Sequence, residues 1–486
     1  MSLNLLAPDD TLKEFSENTA RDLKGDFMYF QRLNSPDYAA KYVDREVQRL
    51  GFTFPINKSL LKKDLEKAYA QALARCFDPD WWLRKIRIRK YRAIECTNIE
   101  LGLVHKNEGL YVSQETFVEK QKQWRRNRYA LEMMEIENEQ GEVYSLDEVV
   151  DKSVSNPVNR RNELMARLSG FEKVAIERGD LSVFYTITAP SKYHAYRSNP
   201  CIPNEKYEGA TPIETQVYLN TVWQRIRAKL AREKIDYYGF RVAEPHHDGT
   251  PHWHMLLFAS PEQMSRLSNI IMHYALMEDG DEQGAQKYRF KAEIIDKNKG
   301  SATGYIAKYI AKNIDGLGLD TDINHHDAKN AALRIRAWAS VWGIRQFQQI
   351  GGPPVTPYRE LRKQRNDIDF LEQRLECSGL HKIYDAADTG NWGDYTKLNG
   401  GPIGKRKDQI LRSYHVLKNE VNRYGEEVKS LLGLLYNKVQ KVITRKHQWV
   451  IKRKPFPGEL NRSYGHYLSN SGANAPPRSS VNNCTQ

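Results

Sequence analysis

Apolar positions change their period along the chain. From residue 1 to about 145 they recur every three or four residues, as in "KSLLKKDLEKAYAQALARCF" and "SQETFVEKQKQWRRNRYALEMMEIE", which predicts a mainly helical region. Ser113, with Glu115 nearby, supplies a helix start. "PVNRRNELMARLSGFEKVAIERG" continues the helical pattern to Gly179. The texture then turns β-like. "LSVFYTITAPS" (181–191) is β-branched and aromatic and stops at a proline, a buried-strand signal. "TPIETQVYLNTVWQRIRAKLAREK" (211–234) is an amphipathic helix opened by Thr211, Pro212 and Glu214. "DYYGFRVAEPHHDGTPHWHMLLFAS" (236–260) reads as two strands around a turn with Pro245, Asp248 and Gly249. Strand, helix, strand–turn–strand, helix predicts an α+β fold with a central, mostly antiparallel sheet.

Past residue 345 the pattern weakens. "QIGGPPVTPYRELRKQRND" looks like a linker entering a helix, and "SYHVLKNEVNRYGEEVKSLLGLLYNKVQ" reads as helical again. A basic run, "ITRKHQWVIKRK", follows, and the Ser/Asn/Pro-rich end reads as disordered. The expected organisation is therefore a helical region 1–145, an α+β domain 146–345, a helical basic region 346–468 and a disordered tail 469–486.

Composition narrows the partners. The 486 residues exceed one ordinary domain, and 74 Lys+Arg against 61 Asp+Glu leave a net charge of +13. That excess favours polyanions. Five scattered cysteines, none in a C-x-x-C pair, argue against a disulfide framework or a zinc ribbon and fit a reducing compartment. Neither a signal peptide nor an apolar run of about eighteen residues is visible, so a cytoplasmic chain with no membrane partner is expected. In "WWLRKIRIRKYR" (81–92), cations alternate with apolar groups; Arg87, Arg89 and Lys90 either follow a phosphate backbone or form a solvated helix face. Residues 445–454 present the same choice.

Candidate chemistry concentrates in "HWHMLLF". In a strand, alternate residues share a face, so His252 and His254 project together while Trp253 turns away. With a turn at Asp248–Gly249, Glu244 lies near His252 across the hairpin. Two imidazoles and a carboxylate suit Mg²⁺ or Mn²⁺, with imidazole tilting the preference towards Mn²⁺ or zinc. His246 and His247 read as solvated turn residues. In "TGYIAKYIAKN" (303–313), Ser301 or Thr303 caps a helix that puts Tyr305 and Tyr309 on one face. Lys308 and Lys312 form a cationic row beside them. The two tyrosines either pack against the core or face a phosphate; a phenolate at neutral pH costs about 4 kcal/mol, which a nearby metal and a cation can offset. "GGPIGKRK" (400–407) falls short of a P-loop, because the spacing is short and Arg406 stands where Ser/Thr is required. A phosphotyrosine bond would conserve the phosphodiester energy, so rejoining needs no ATP.

"FYTITAPS", "PHWHMLLF" and "GYIAKYIAK", in this order, resemble the three motifs of the HUH endonuclease superfamily, and among these the replication gene A proteins of P2-like phages. The resemblance extends through the helical N-terminal half and "RIRAWASVWGIRQFQ" (334–348). It implies a rolling-circle initiator in which Tyr305 or Tyr309 attacks one strand of origin DNA, leaving a 5′-phosphotyrosine and a free 3′-OH. It also implies metal ligation by His252 and His254, a role for Lys308 between the tyrosines, and a host polymerase and helicase as partners. Glu244 as third ligand comes from the hairpin and from initiators with an acid before the histidine pair. A monomer is expected. The competing expectations are a non-catalytic origin-binding protein with a structural metal, and a relaxase-like mobilisation protein. Relaxases usually place their tyrosine before the histidines, the reverse of the order here.

Overall fold

The structure is a computed structural model describing residues 3–455, apart from 297, 299, 319–326, 366, 368–369 and 371–376. The expected tail, 469–486, lies outside the described residues. Two compact units divide the chain: Met1–Thr97 with Tyr414–Leu432, and Asn98–Ser413 with Gly433–Gln486.

The first unit is built from α1 (Asp9–Leu33), α2 (Pro36–Arg49), α3 (Lys58–Leu61), α4 (Leu65–Cys76) and most of α5 (Pro79–Glu100). Ser35 caps α2 and Asp64 caps α4, each accepting a backbone N–H three residues on. Their apolar stripes close over Leu12, Val43, Val47, Ala72 and Trp82. The turn at 422–426 belongs to this unit, with Arg75 paired to Glu426 at 2.6 Å.

The second unit begins with α6 (Gln114–Glu132), the short strands β1 (Met134–Asn138) and β2 (Val143–Ser145), and α7 (Leu146–Lys152). Next come α8 (Pro157–Arg178), β3 (Leu181–Thr188), α9 (Pro212–Arg232), β4 (Tyr238–Pro245) and β5 (Pro251–Ala259). They are followed by α10 (Pro261–Ala275), α11 (Ala285–Tyr288), β6 (Phe290–Ile294), α12 (Ala302–Ile314), α13 (Ala328–Trp342) and β7 (Phe347–Ile350). One five-stranded antiparallel sheet, in the order β6-β3-β5-β4-β7, holds this unit together. The fold is α+β, as the sequence pattern predicts.

Strand parity assigns the sheet's two faces. Phe184, Phe240, Val242, Leu256 and Phe258 point one way, into a core shared with Leu168 and Phe171 of α8 and Ile306 and Ile310 of α12. Each fully buried isoleucine there contributes about 2 kcal/mol, enough to fix α12 across this face. Trp253 and Tyr185 point the other way: the indole Nε1 donates to Gln216 on α9 at 3.1 Å, and the phenol oxygen lies 2.7 Å from the Ser268 hydroxyl on α10. The sheet is thus covered on both sides.

The C-terminal part holds α14 (Val355–Arg362), α15 (Ser378–Asp388), α16 (Trp392–Leu398), and then β8 (Leu411–Val421), β9 (Glu427–Tyr436), β10 (Gln440–Ile443) and β11 (Trp449–Arg453). Here two helix expectations fail. Residues 413–440 form an antiparallel β8–β9–β10 meander, not a helix. The turns explain it. Asn422 accepts the N–H groups of Tyr424 and Glu426, and Asn437 and Lys438 both take positive φ (48° and 66°), a tight hairpin geometry. The helix expected over 113–137 stops at Glu132, because "MEIEN" pairs in β1 with β11, the basic run of the far C-terminal region. No described helix is long and apolar enough to cross a membrane.

Candidate active site

The β4–β5 register sets Glu244 directly opposite His252, and Val242 opposite His254. All four project onto the α12 face. His252 Nε2 and His254 Nε2 approach to 2.9 Å, and Glu244 Oε2 lies 3.8 Å from His254 Nε2. Among the described residues, these three form the one His/Cys/Asp/Glu group with ligand atoms all within 4.8 Å of one another. All three are buried.

Their chemistry fits a divalent cation. Burial, helped by the positive charge of Lys312, holds both imidazoles well below the usual histidine range, so each stays neutral with a lone pair to offer. His254 Nδ1 sits 3.1 Å from Thr186 Oγ1; donating there turns its Nε2 lone pair into the cluster. Glu244 is matched from α12: the Lys312 ammonium pairs with Oε1, and Asn313 Nδ2 donates to Oε2 at 3.2 Å. Gln346 in turn donates to Asn313 at 3.2 Å. A buried carboxylate so equipped is held in one orientation.

The α12 helix carries the tyrosines. Ser301 caps it by accepting Gly304 N–H, and Glu172 of α8 accepts Ala302 N–H at 2.6 Å and Thr303 N–H at 3.0 Å. Tyr309 packs against two rings that also meet each other, 3.9 Å from His254 and 5.2 Å from Phe184, measured between centroids. Tyr305 lies one turn earlier, also half-buried against the same core. Lys308 is exposed, its ammonium 5.1 Å over the Tyr309 ring. Burial, with Glu244 and Glu293 adding to it, pushes the Tyr309 phenol up to about 12. The Tyr309 surroundings therefore oppose phenolate formation.

The structure brings Glu244, His252, His254, Tyr309 and Lys312 together. Lys312 is buried on Glu244 rather than standing in an open cationic row with Lys308. Two turn histidines depart from expectation. His247 is buried, and His246 stacks on His252 with centroids 3.9 Å apart, so neither is a solvated loop residue. The signal was present: His246 shares the strand parity of Glu244. His194 and Asp248 complete this flank, 3.2 Å apart, with His194 edge-on to His246. Burial also keeps His246 neutral. Trp338 of α13 donates to Gly249 O at 2.7 Å and pins the hairpin turn, where Gly249 takes φ +81°.

Arg87, Arg89 and Lys90 lie on α5, away from this cluster in the chain. Arg87 pairs with Asp9 at 2.8 Å, Arg89 donates to Leu50 O at 2.8 Å, and Lys90 donates to Ala7 O at 2.7 Å.

Fold and site define an α+β protein with a buried histidine–carboxylate cluster beside a helix bearing two tyrosines. The chain belongs to the bacteriophage replication gene A protein family, whose model matches residues 39–317. It is 44% identical over 429 residues to the replication gene A protein of Escherichia phage 186, covering 86% of this chain and 60% of that one. The replication gene A protein of Escherichia phage P2 is 37% identical over 437 residues, covering 86% and 55%. A probable replication endonuclease from a prophage-like region of Salmonella paratyphi A is 36% identical over 395 residues, covering 79% and 49%. The chain thus spans about half to 60% of the length of these relatives. No solved structure matches it.

Proposed function

We propose that this chain is a DNA endonuclease that starts rolling-circle replication by nicking one strand with a tyrosine. The observation that carries this reading is the stacking of Tyr309 on His254 within the Glu244–His252–His254 cluster. Membership of a replication family and the endonuclease names of relatives support it.

Glu244, His252 and His254 would hold Mg²⁺ or Mn²⁺, which when bound would polarise the scissile phosphate and offset its developing charge. Tyr305 or Tyr309 attacks phosphorus through its phenol oxygen. The new bond is tyrosine O–P; the bond that breaks is P–O3′, whose oxygen leaves as the 3′-OH once protonated. The phenol proton goes to solvent. Lys308 steadies the phenol oxygen and the transferring phosphate as negative charge develops. The covalent 5′-phosphotyrosine keeps the bond energy, so the second tyrosine can cut the regenerated site and the strand can be resealed without a nucleotide. A host polymerase extends the 3′-OH, and a host helicase opens the duplex.

Metal titration together with cleavage tests this reading. Replacing His252 or His254 by alanine should cut Mn²⁺ affinity about 100-fold or more and abolish nicking of single-stranded oligonucleotides, while gel-shift binding persists. A variant that loses the metal and still nicks at the wild-type rate contradicts it.

A further inference from the structure

Three arginines of this unit are held by aromatic rings and backbone rather than by carboxylate ion pairs. Arg160 on α8, Arg336 on α13 and Arg345 just before β7 make no carboxylate ion pair within 4 Å among the described residues, Glu163 acting on Arg160 only at longer range. Two aromatic rings support them instead. Arg160 lies 5.1 Å over the Phe347 ring, and Arg345 Nε donates to Phe347 O at 3.2 Å. Arg336 lies 4.5 Å over Trp124. Arg359 stands beside them, satisfied by Glu163 at 2.7 Å. Burial lowers the proton affinity of Arg160, with Arg336 and Arg359 adding to it and Glu163 opposing. On the opposite face of the sheet Arg241 is buried over Trp253, its guanidinium pushed down to about 9 by burial and by Arg345.

We propose that Arg160, Arg336 and Arg345 form a clamp for the backbone phosphates of the DNA strand held at the tyrosines. A guanidinium stacked on a ring keeps its planar fork of donors turned outward, which suits phosphate oxygens. Position supports this assignment. Phe347 pairs with Val242, two residues along β4 from Glu244, and Gln346 reaches Asn313, the partner of Glu244. The patch is therefore one strand away from the cluster, at the β7 edge of the sheet. It reads no base; it holds the strand.

The proposal rests on the nuclease reading, and its test separates the two. Binding of the full chain to a fluorescent single-stranded oligonucleotide is measured by anisotropy over a salt series, beside covalent capture at saturating DNA. Arg160→Gln/Arg336→Gln/Arg345→Gln should weaken binding about tenfold or more and flatten the log–log salt slope by about 2, at roughly 0.7 per phosphate. Capture at saturating DNA should survive. The triple lysine variant, which keeps the charge and guards against a folding defect, should retain the slope while losing part of the affinity. An unchanged slope in the glutamine variant overturns the clamp, as does a flattened slope in the lysine variant. Loss of capture in the wild type would instead strike the nuclease reading.

Discussion

At the scale of the residue, the site depends on neutral imidazoles facing one fixed carboxylate. Tyr305 and Tyr309 are not equivalent in their surroundings: Tyr309 packs against both His254 and Phe184, while Tyr305 has no such ring contact among the described residues. Either phenol should still capture DNA alone. Tyr305→Phe and Tyr309→Phe should each keep some SDS-stable complex on short oligonucleotides, whereas the double variant should form none. Residual capture in the double variant would move the nucleophile elsewhere. Asp248 supplies a stability test. Burial raises its proton affinity, but His194, 3.2 Å away, more than reverses this and holds its carboxyl below the usual carboxylate range. A folded-state value below the unfolded one stabilises the protein above pH 4 and is lost as pH falls through the folded value. Asp248→Asn should therefore cost on the order of 3 kcal/mol at pH 7 by denaturant melts, and the gap to wild type should close below pH 4. A gap independent of pH would mean that the charge is not what matters.

At the scale of the element, α12 is placed by two signals of different range. Its Ser301 cap and its 3.6-residue period are local, and they were legible in "SATGYIAKYIAKN". The Glu172 carboxylate that also receives its first N–H groups comes from α8, 130 residues earlier, and no local pattern announces it. Glu172→Ala should cost about 1–2 kcal/mol and reduce covalent capture while leaving Mn²⁺ affinity intact, because the metal ligands sit on β4 and β5. Equal loss of metal binding and capture would show a general folding defect. The β4–β5 hairpin was legible for the same local reason, since alternation and a Gly-containing turn fix its register. The failures differ in range. The β1–β11 pairing needs a partner far along the chain, whereas the β8–β10 meander is local and was hidden because "LLGLLY" carries leucines at spacings that suit a helix as well as a strand. His246 was missed because a turn position masked its strand parity.

At the scale of the whole molecule, an excess of 13 positive charges says less than where the unmatched ones lie. Much of the basic run 445–454 is neutralised internally: Arg445 meets Glu360 at 3.0 Å, Lys446 meets Asp367 at 2.8 Å, and Lys452 pairs with Glu137. Lys452→Gln should accordingly leave the salt slope of DNA binding unchanged within error, and a slope lowered by about 0.7 would show that this lysine reaches a phosphate after all. Tyrosine chemistry beside the cluster is tested most directly by peptide mass mapping. A single-stranded origin oligonucleotide is incubated with the full chain and Mn²⁺, the complex is denatured and digested, and the modified residue is identified. A nucleotide 5′-phosphate esterified to Tyr305 or Tyr309, absent without metal, is the expected result; an adduct on any other residue, or cleaved DNA with no adduct, would contradict it.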